Sequence, residues 1–265
     1  MRGWNRFTGR FIFPRMVDYK TDDEIRIMSE GGKKLAEVYE KIRKITKPGI
    51  TTLEIDNFAE KEIKKSGGEP AFKKVPGYRW STCLCINDQV VHTPPTRRHV
   101  KEGDVLTVDI GIYFEGLNTD KADTFTVGKE SDKVKSFLAA GRSALDKAIT
   151  TAKENKRIGD ISQMIQQEIE GRGYFVIRDL TGHGVGKKLH EDPSIPGYID
   201  KPVEKTPLLK KGLTIAIEVI YAENKTDIVY EKGDNWSLIT EDGSIAACFE
   251  ETVAIVSNKT LILTR

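Results

Sequence analysis

Apolar residues recur along the chain at two periods, arranged in alternating blocks. Ile25, Met28, Leu35, Val38, Ile42 and Ile45 step by roughly three and four residues, the stripe of one buried helix face. Thr21-Asp-Asp-Glu24 ahead of them has the form of a capping box, and Lys47-Pro48-Gly49 supplies the stop. A second box, Thr51-Thr-Leu-Glu54, opens a helix with Ile55, Phe58, Ala59 and Ile63 inward, ended by Gly67-Gly68. The pattern returns about 110 residues later. Val134, Phe137, Leu138, Leu145 and Ala148 make a third stripe, Ile158-Gly159 breaks the chain, and Asp160-Ile-Ser-Gln163 caps a fourth helix ending near Gly171. Strand-like sequence follows each helix pair: 83–91 and 105–127 after the first, 213–221 and 245–256 after the second. An internal duplication accounts for this order. The expected architecture is α+β, a single domain of two pseudo-symmetric halves, about 18–128 and 129–265, with one curved antiparallel sheet and four helices on one face. Function then falls where the halves meet.

Four strands break their own pattern with a carboxylate. Asp109 sits inside Val105-Leu-Thr-Val-Asp-Ile-Gly-Ile-Tyr113, Glu218 inside Leu213-Thr-Ile-Ala-Ile-Glu-Val-Ile-Tyr221, and Glu250 beside Glu251 in a third apolar run. A hairpin closed around Phe114-Glu115 sets Asp109 directly opposite Asp120, whereas Asp123 projects from the other face. Of the adjacent pair Glu250 and Glu251, only one can share a face with the others. An unpaired buried carboxylate must shift its pKa, find a partner or bind a metal. A histidine joins the set in Thr181-Gly-His-Gly-Val-Gly-Lys, whose alternating glycines read as a site loop rather than a helix or strand. Oxygen-rich ligation with one imidazole suits Mn, Fe, Co or Zn in a two-metal catalytic site; structural zinc prefers cysteine-rich sets.

Composition narrows the setting. The 265 residues are 38% hydrophobic and 31% charged with a formal net charge of +2, so no global field calls for nucleic acid or an anionic membrane. No apolar run reaches the roughly 20 residues a membrane-spanning helix needs. Three cysteines, an odd number, suggest reduced thiols and a cytoplasmic setting. Residues 1–17 carry Arg2, Arg6, Arg10 and Arg15 and no acid; they read as an N-terminal extension, or as sequence upstream of a start at Met16.

Asp109, Asp120 eleven residues later, His183 in Gly-His-Gly-Val-Gly, Glu218 and Glu250 together closely resemble the methionine aminopeptidases. The likeness extends from Tyr19 to the C-terminus and includes Tyr19-Lys-Thr-Asp-Asp-Glu-Ile25, Asn87-Asp-Gln-Val-Val-His92, and Trp236 ahead of Glu250. The short interval from His183 to Glu218 resembles the type I enzymes. The resemblance implies the duplicated pita-bread fold and removal of the initiator methionine from nascent chains with a small second residue. It implies that Asp109 chelates one divalent ion, that Asp120 and Glu250 bridge two, and that His183 and Glu218 complete the shell. The ions would lower the pKa of a bridging water. His92 would contact the scissile amide and His190 would support the carbonyl oxygen. Tyr78, Cys83 and Trp236 are the candidates for an apolar methionine pocket. The family usually has glycine where Thr93 follows His92 here, ahead of two prolines; a stiffer loop there bears on substrate scope and rate.

Other expectations remain open at this point. A proline-directed aminopeptidase of the same fold usually carries an extra N-terminal domain, for which this sequence leaves no room. A non-catalytic pita-bread module that binds peptide or ribosome would have lost metal ligands. Lys33-Lys34, Lys41, Arg43, Lys44 and Lys47 offer a basic surface for the ribosome, although such runs are usually the solvated face of a helix. The expected assembly is a monomer without a membrane partner.

Overall fold

The computed structural model describes residues 17–257 and 259–265. The expected N-terminal extension, Val17 apart, lies outside them. Helix α1 (Asp22–Ile45) begins on Thr21, whose hydroxyl accepts from the Glu24 amide while the Glu24 carboxylate accepts from the Thr21 amide at 2.8 Å. Thr51 and Glu54 start α2 (Thr52–Lys65) in the same way. The strands β1 (Glu69–Pro70), β2 (Thr82–Ile86), β3 (Gln89–Val91), β4 (Val105–Phe114) and β5 (Leu117–Thr126) complete the first half. The second half runs α3 (Asp132–Thr151), α4 (Ile158–Glu170), β6 (Phe175–Val176), β7 (Thr181–Gly184) and β8 (Glu191–Pro196). It closes with β9 (Thr214–Ala222), β10 (Ile228–Tyr230), β11 (Leu238–Thr240), β12 (Ala246–Val256) and β13 (Lys259–Ile262). Helix α4 starts earlier than expected. Asp160 is not its cap but the third residue of its first turn, accepting from the Arg157 amide at 2.7 Å, and Gly159 lies inside the helix with its amide on the Thr206 hydroxyl.

Strands β1, β4, β5, β12, β9, β7 and β8 lie side by side in that order, with β2 also on β4, β6 on β9 and β13 on β12. Every pairing is antiparallel. Period-two alternation sorts the faces. Leu106, Val108 and Ile110 of β4 pack with Leu35, Val38 and Ile55, while Ile217 and Val219 of β9 and Phe249 of β12 pack with Leu145, Ile161 and Ile165. Each such buried side chain contributes about 1.5–3 kcal/mol relative to exposure. The duplicated α+β design with both helix pairs on one face is therefore borne out. A small sheet of β10, β11 and β3 is an addition to the expected plan; Val90, Val91 and Leu238 cover one end of the helix-free face together with Ile220 and Cys248.

The halves join at β5 and β12. Only Ala122 with Glu250 and Lys121 with Glu251 are direct Cα partners there. On one side the Thr252 hydroxyl accepts from the Asp120 amide at 2.9 Å and donates to the Asp120 carbonyl at 2.8 Å. On the other the Thr124 hydroxyl does the same for Cys248 at 3.0 and 2.8 Å. Exchanging the two strands maps one arrangement onto the other. No helix among the described residues is long and apolar enough to cross a membrane.

Candidate metal centre

A row of residues crosses the helix-free face at this junction. Asp109 pairs with Ala122, Ala122 with Glu250, and Glu250 with Glu218. Asp120 lies two residues before Ala122 on the same face, and His183 pairs with Ala216, two residues before Glu218. The hairpin register differs from the expected one. The turn is Glu115-Gly116, with φ of +47° and +90°, and Phe114 pairs with Leu117, so Asp120 stands opposite Gly111 rather than Asp109. Two positive φ values define the turn type that matches strand twist, and glycine tolerates the second without a Cβ clash. A two-residue slip preserves parity. Asp109 and Asp120 still share a face, and Asp123 turns to the other, where it pairs with Arg142. Glu251 also points away from the row, bonded to Lys121 at 2.7 Å and to Arg265 at 3.0 Å.

One ligand atom each from Asp120, His183 and Glu250 lies within 4.8 Å of the others. His183 Nε2 stands 3.9 Å from Asp120 Oδ2 and 3.6 Å from Glu218 Oε1. The other ring nitrogen, Nδ1, is 2.8 Å from the Gly184 carbonyl, which accepts its proton and leaves the Nε2 lone pair for a cation. Asp109 Oδ1 and Glu250 Oε1 are buried without a hydrogen-bond partner. Among the described residues no lysine or arginine forms an ion pair with Asp109, Asp120, Glu218 or Glu250. Burial, and then mutual repulsion, pushes Asp109, Glu218 and Glu250 well above the usual carboxylate range. Burial raises Asp120 to about 7 against the pull of the Lys121 amide. Burial lowers His183 to about 3 and His92 to about 4, with His190 adding to both shifts, so both rings are neutral ligands or donors at neutral pH. Unsatisfied carboxylate oxygens gathered around a neutral imidazole fit a divalent cation.

The glycines flanking His183 belong to β7, not to the loop expected from sequence. A Cβ on Gly182 would stand 2.4 Å from the Ala216 carbonyl oxygen, and one on Gly184 would stand 2.3 Å from that of Asp192. The strand is glycine-rich because backbone approaches it from both neighbours. Gly182→Ala should therefore destabilise the protein by about 1–3 kcal/mol, read as a lower urea midpoint at unchanged slope; an unchanged midpoint would mean that the strands part freely.

A cavity of about 820 Å³ opens over the row. Asp109, Asp120, His183, Glu218 and Glu250 line it, as do His92 and His190. His190 is exposed at the rim but closely flanked, and desolvation lowers its pKa; its ring lies 4.5 Å from that of His183. His92 adopts φ +61°, a left-handed conformation uncommon outside glycine and found where surroundings enforce it. Thr93 is buried but is not among the positive-φ residues, so its backbone does not demand the family's glycine.

Tyr78, Cys83 and Trp236 gather at one end of the cavity with Phe72, Val75 and Leu189. Tyr78 meets Trp236 edge-on at 5.1 Å and donates to the Thr82 carbonyl at 2.8 Å. Burial pushes the Cys83 thiol up, with Asp109 adding to it, so Cys83 is neutral and serves as a wall. Sequence reasoning missed Phe72, Val75 and Leu189. Only Leu189 had a signal, its place immediately before His190. The basic run is partly engaged: Lys41 pairs with Glu62 at 2.8 Å, Lys34 lies over the Phe114 ring and Arg43 over that of Phe125.

Fold and site meet in a recognisable class. The chain belongs to metallopeptidase family M24, whose sequence pattern matches residues 26–257. Divalent metal use comes with that family, and the Asp120, His183 and Glu250 group is where this chain offers ligands. Within the family the similarity is to methionine aminopeptidases. Methionine aminopeptidase 1 of Bacillus subtilis is 41% identical, spanning 94% of this chain and 100% of the relative. The methionine aminopeptidase of Aquifex aeolicus is 37% identical over 94% of this chain and 98% of its own. The crystal structure of the Thermotoga maritima methionine aminopeptidase superposes with a TM-score of 0.91 at 39% identity, covering 94% of this chain and 100% of that one. A prolidase from Pyrococcus furiosus shares the fold, with a TM-score of 0.76 at 23% identity; this chain spans 93% of its own length and 65% of that one.

Proposed function

We propose that this chain removes the N-terminal methionine from polypeptides whose second residue is small, as a metal-dependent aminopeptidase. The observation that carries the reading is the row of four carboxylates, two of them with an unpaired buried oxygen, and His183 on the floor of a cavity that ends in an aromatic pocket. Asp109, Asp120, His183, Glu218 and Glu250 would together hold two divalent ions, Asp109 serving one, Asp120 and Glu250 shared by both, and His183 and Glu218 completing the set. When bound, such ions supply Lewis acidity that makes an attacking water acidic near neutral pH. The carboxylates then no longer repel one another. Among Co, Mn, Fe and Zn, availability decides which occupies such a shell.

The remaining residues orient the substrate. An unbranched thioether suits a pocket of Phe72, Tyr78, Leu189 and Trp236, because sulfur favours aromatic edges. His92, neutral by burial, can donate a hydrogen bond toward the scissile amide, and His190, whose pKa desolvation at the rim also lowers, toward the carbonyl oxygen as charge develops on it. Three free, buried cysteines support a reducing, cytoplasmic setting. We take residues 18–265 to act as one catalytic domain and as a monomer on nascent chains, with the ribosome as a further partner through the basic face of α1.

Metal-reconstituted protein should release free methionine from Met-Gly-Met, and Asp109→Asn should not. A Met-Pro peptide beside it tests the proline-directed alternative. Folded protein that releases nothing with any of the four metals would overturn this reading; failure to bind Mn stoichiometrically would then leave the peptide-binding module, and stoichiometric binding a specificity narrowed at Thr93.

A further inference from the structure

We propose that Lys20 is a positioning residue, whose buried ammonium locks Glu191 and thereby fixes the 185–190 loop that presents Leu189 and His190 to the cavity. The proposal rests on the reading of His190 above. The Lys20 side chain is only 1% exposed although it lies just before α1, far from the centre in sequence. Its ammonium donates to the Asp18 carbonyl at 3.1 Å and to Glu191 Oε2. Glu191 is 10% exposed, and its second oxygen accepts from the Lys188 amide at 2.9 Å. One carboxylate thus holds the incoming segment with one oxygen and the loop with the other.

Glu191 is the first residue of β8 and directly follows His190. Its pairing with Gly184 closes the loop whose last residue is the rim histidine. The third glycine of the Gly-His-Gly-Val-Gly motif gains a purpose here. A Cβ on Gly186 would stand 2.1 Å from Lys20 Cε and 2.5 Å from Nζ, so glycine makes the channel through which the lysine reaches Glu191. Asn118 braces the same loop, its amide donating to the Gly186 carbonyl at 2.7 Å and its side chain at 2.8 Å. Lys187 adds ties to Asp18 at 3.6 Å and Glu24 at 3.3 Å, but its side chain is 62% exposed, and exposed pairs hold little.

Burying an ion pair is a weak route to stability, because desolvation consumes most of the attraction; its best-attested use is to specify one arrangement over others. Here the arrangement specified is the position of His190, and a shift of about 1 Å in a catalytic group can cost on the order of a hundredfold in rate. The metal ligands lie outside the loop, since His183 is held within β7 by β9. The latch should therefore govern turnover without governing metal binding.

The test is a double-mutant cycle on the full chain loaded with Mn, using Met-Gly-Met. Lys20→Met should lower kcat by roughly tenfold or more with metal affinity unchanged by calorimetry. In a His190→Ala background the same substitution should be silent, within about twofold, because the group it positions is gone. Glu191→Gln, which keeps the acceptor for the Lys188 amide but loses the charge, should behave like Lys20→Met and replaces it if that variant fails to fold. Wild-type kcat in both single variants would overturn the latch, as would an equal loss in the presence and absence of His190. If His190→Ala alone leaves kcat unchanged, the role given to His190 falls and the latch falls with it. Loss on His190→Ala without loss on Lys20→Met or Glu191→Gln overturns the latch alone.

Discussion

Asp120→Asn is expected to cut methionine release by about a thousandfold or more, equivalent to roughly 4 kcal/mol of transition-state stabilisation, and at the same time to make the metal-free protein more stable. Both effects follow from the position of one side chain. Asp120 Oδ1 accepts from the Lys121 amide at 3.0 Å, and Oδ2 faces His183. An asparagine oxygen satisfies that amide, which turns the NH2 group toward the place where a cation needs an oxygen. The centre loses a ligand and its reason to hold the neighbouring carboxylates ionised. Without metal the same change removes a buried group whose charge repels Glu218 and Glu250. Mn titration by calorimetry, methionine release and thermal melts in chelator measure the three consequences. Wild-type release with wild-type Mn affinity would remove Asp120 from the centre.

In chelator, the wild-type protein is expected to lose stability as pH climbs through about 7. Asp120 has a folded pKa of about 7, and Asp109, Glu218 and Glu250 lie well above the ordinary carboxylate range. A folded pKa raised above the unfolded one contributes stability that is complete below the unfolded value and lost as pH climbs through the folded value. Each such group contributes a downward slope of up to about 1.4 kcal/mol per pH unit while it titrates. The histidines act in the opposite sense. His92 and His183 have folded pKa values of about 4 and 3, so the stability they bring is present above about 6.5 and fades below it. Above about 6.5, where the histidines add no slope, the carboxylates of the centre therefore set it; toward pH 5 the two sets oppose each other. Mn at a thousand times its Kd should abolish the slope and add about 4 kcal/mol. Calorimetric melts across the pH range decide the matter, and a flat curve in chelator would mean that the four carboxylates are not held protonated by the fold.

Local rules carried most of the architecture. Thr21 with Glu24 and Thr51 with Glu54 could be read from residue order because a capping box closes within four residues. Strand parity was equally legible within the hairpin, where it puts Asp109 and Asp120 on one face and Asp123 on the other; it says only that one of Glu250 and Glu251 joins them, and the register of β12 with β5 and β9 makes that one Glu250, beside Glu218. What failed depended on partners distant in the chain or on a single turn residue. The hairpin register shifted because the turn centres on Glu115-Gly116, one position beyond the expected pair. Strand β7 looked like a loop because its glycines have poor strand propensity, and only the backbones of β8 and β9 explain them. Strands β10 and β11 have three residues each, too few for alternation to register, and the stretch expected as one strand over 83–91 is divided into β2 and β3. Lys20 reads as an ordinary surface lysine until the fold brings Glu191 to it.

The seam between β5 and β12 bears on how such a centre could arise. Thr124 and Thr252 grip it symmetrically, yet the residues they grip are Cys248 and Asp120, and Ala122 lies opposite Glu250. Two identical subunits meeting on a two-fold axis must present the same groups from both sides. Joining two copies in one polypeptide lifts that obligation. One copy could keep two aspartates while the other acquired a histidine and two glutamates, giving the shared centre a front and a back. A peptide has a direction, and an enzyme that accepts only its amino end needs a site with one too.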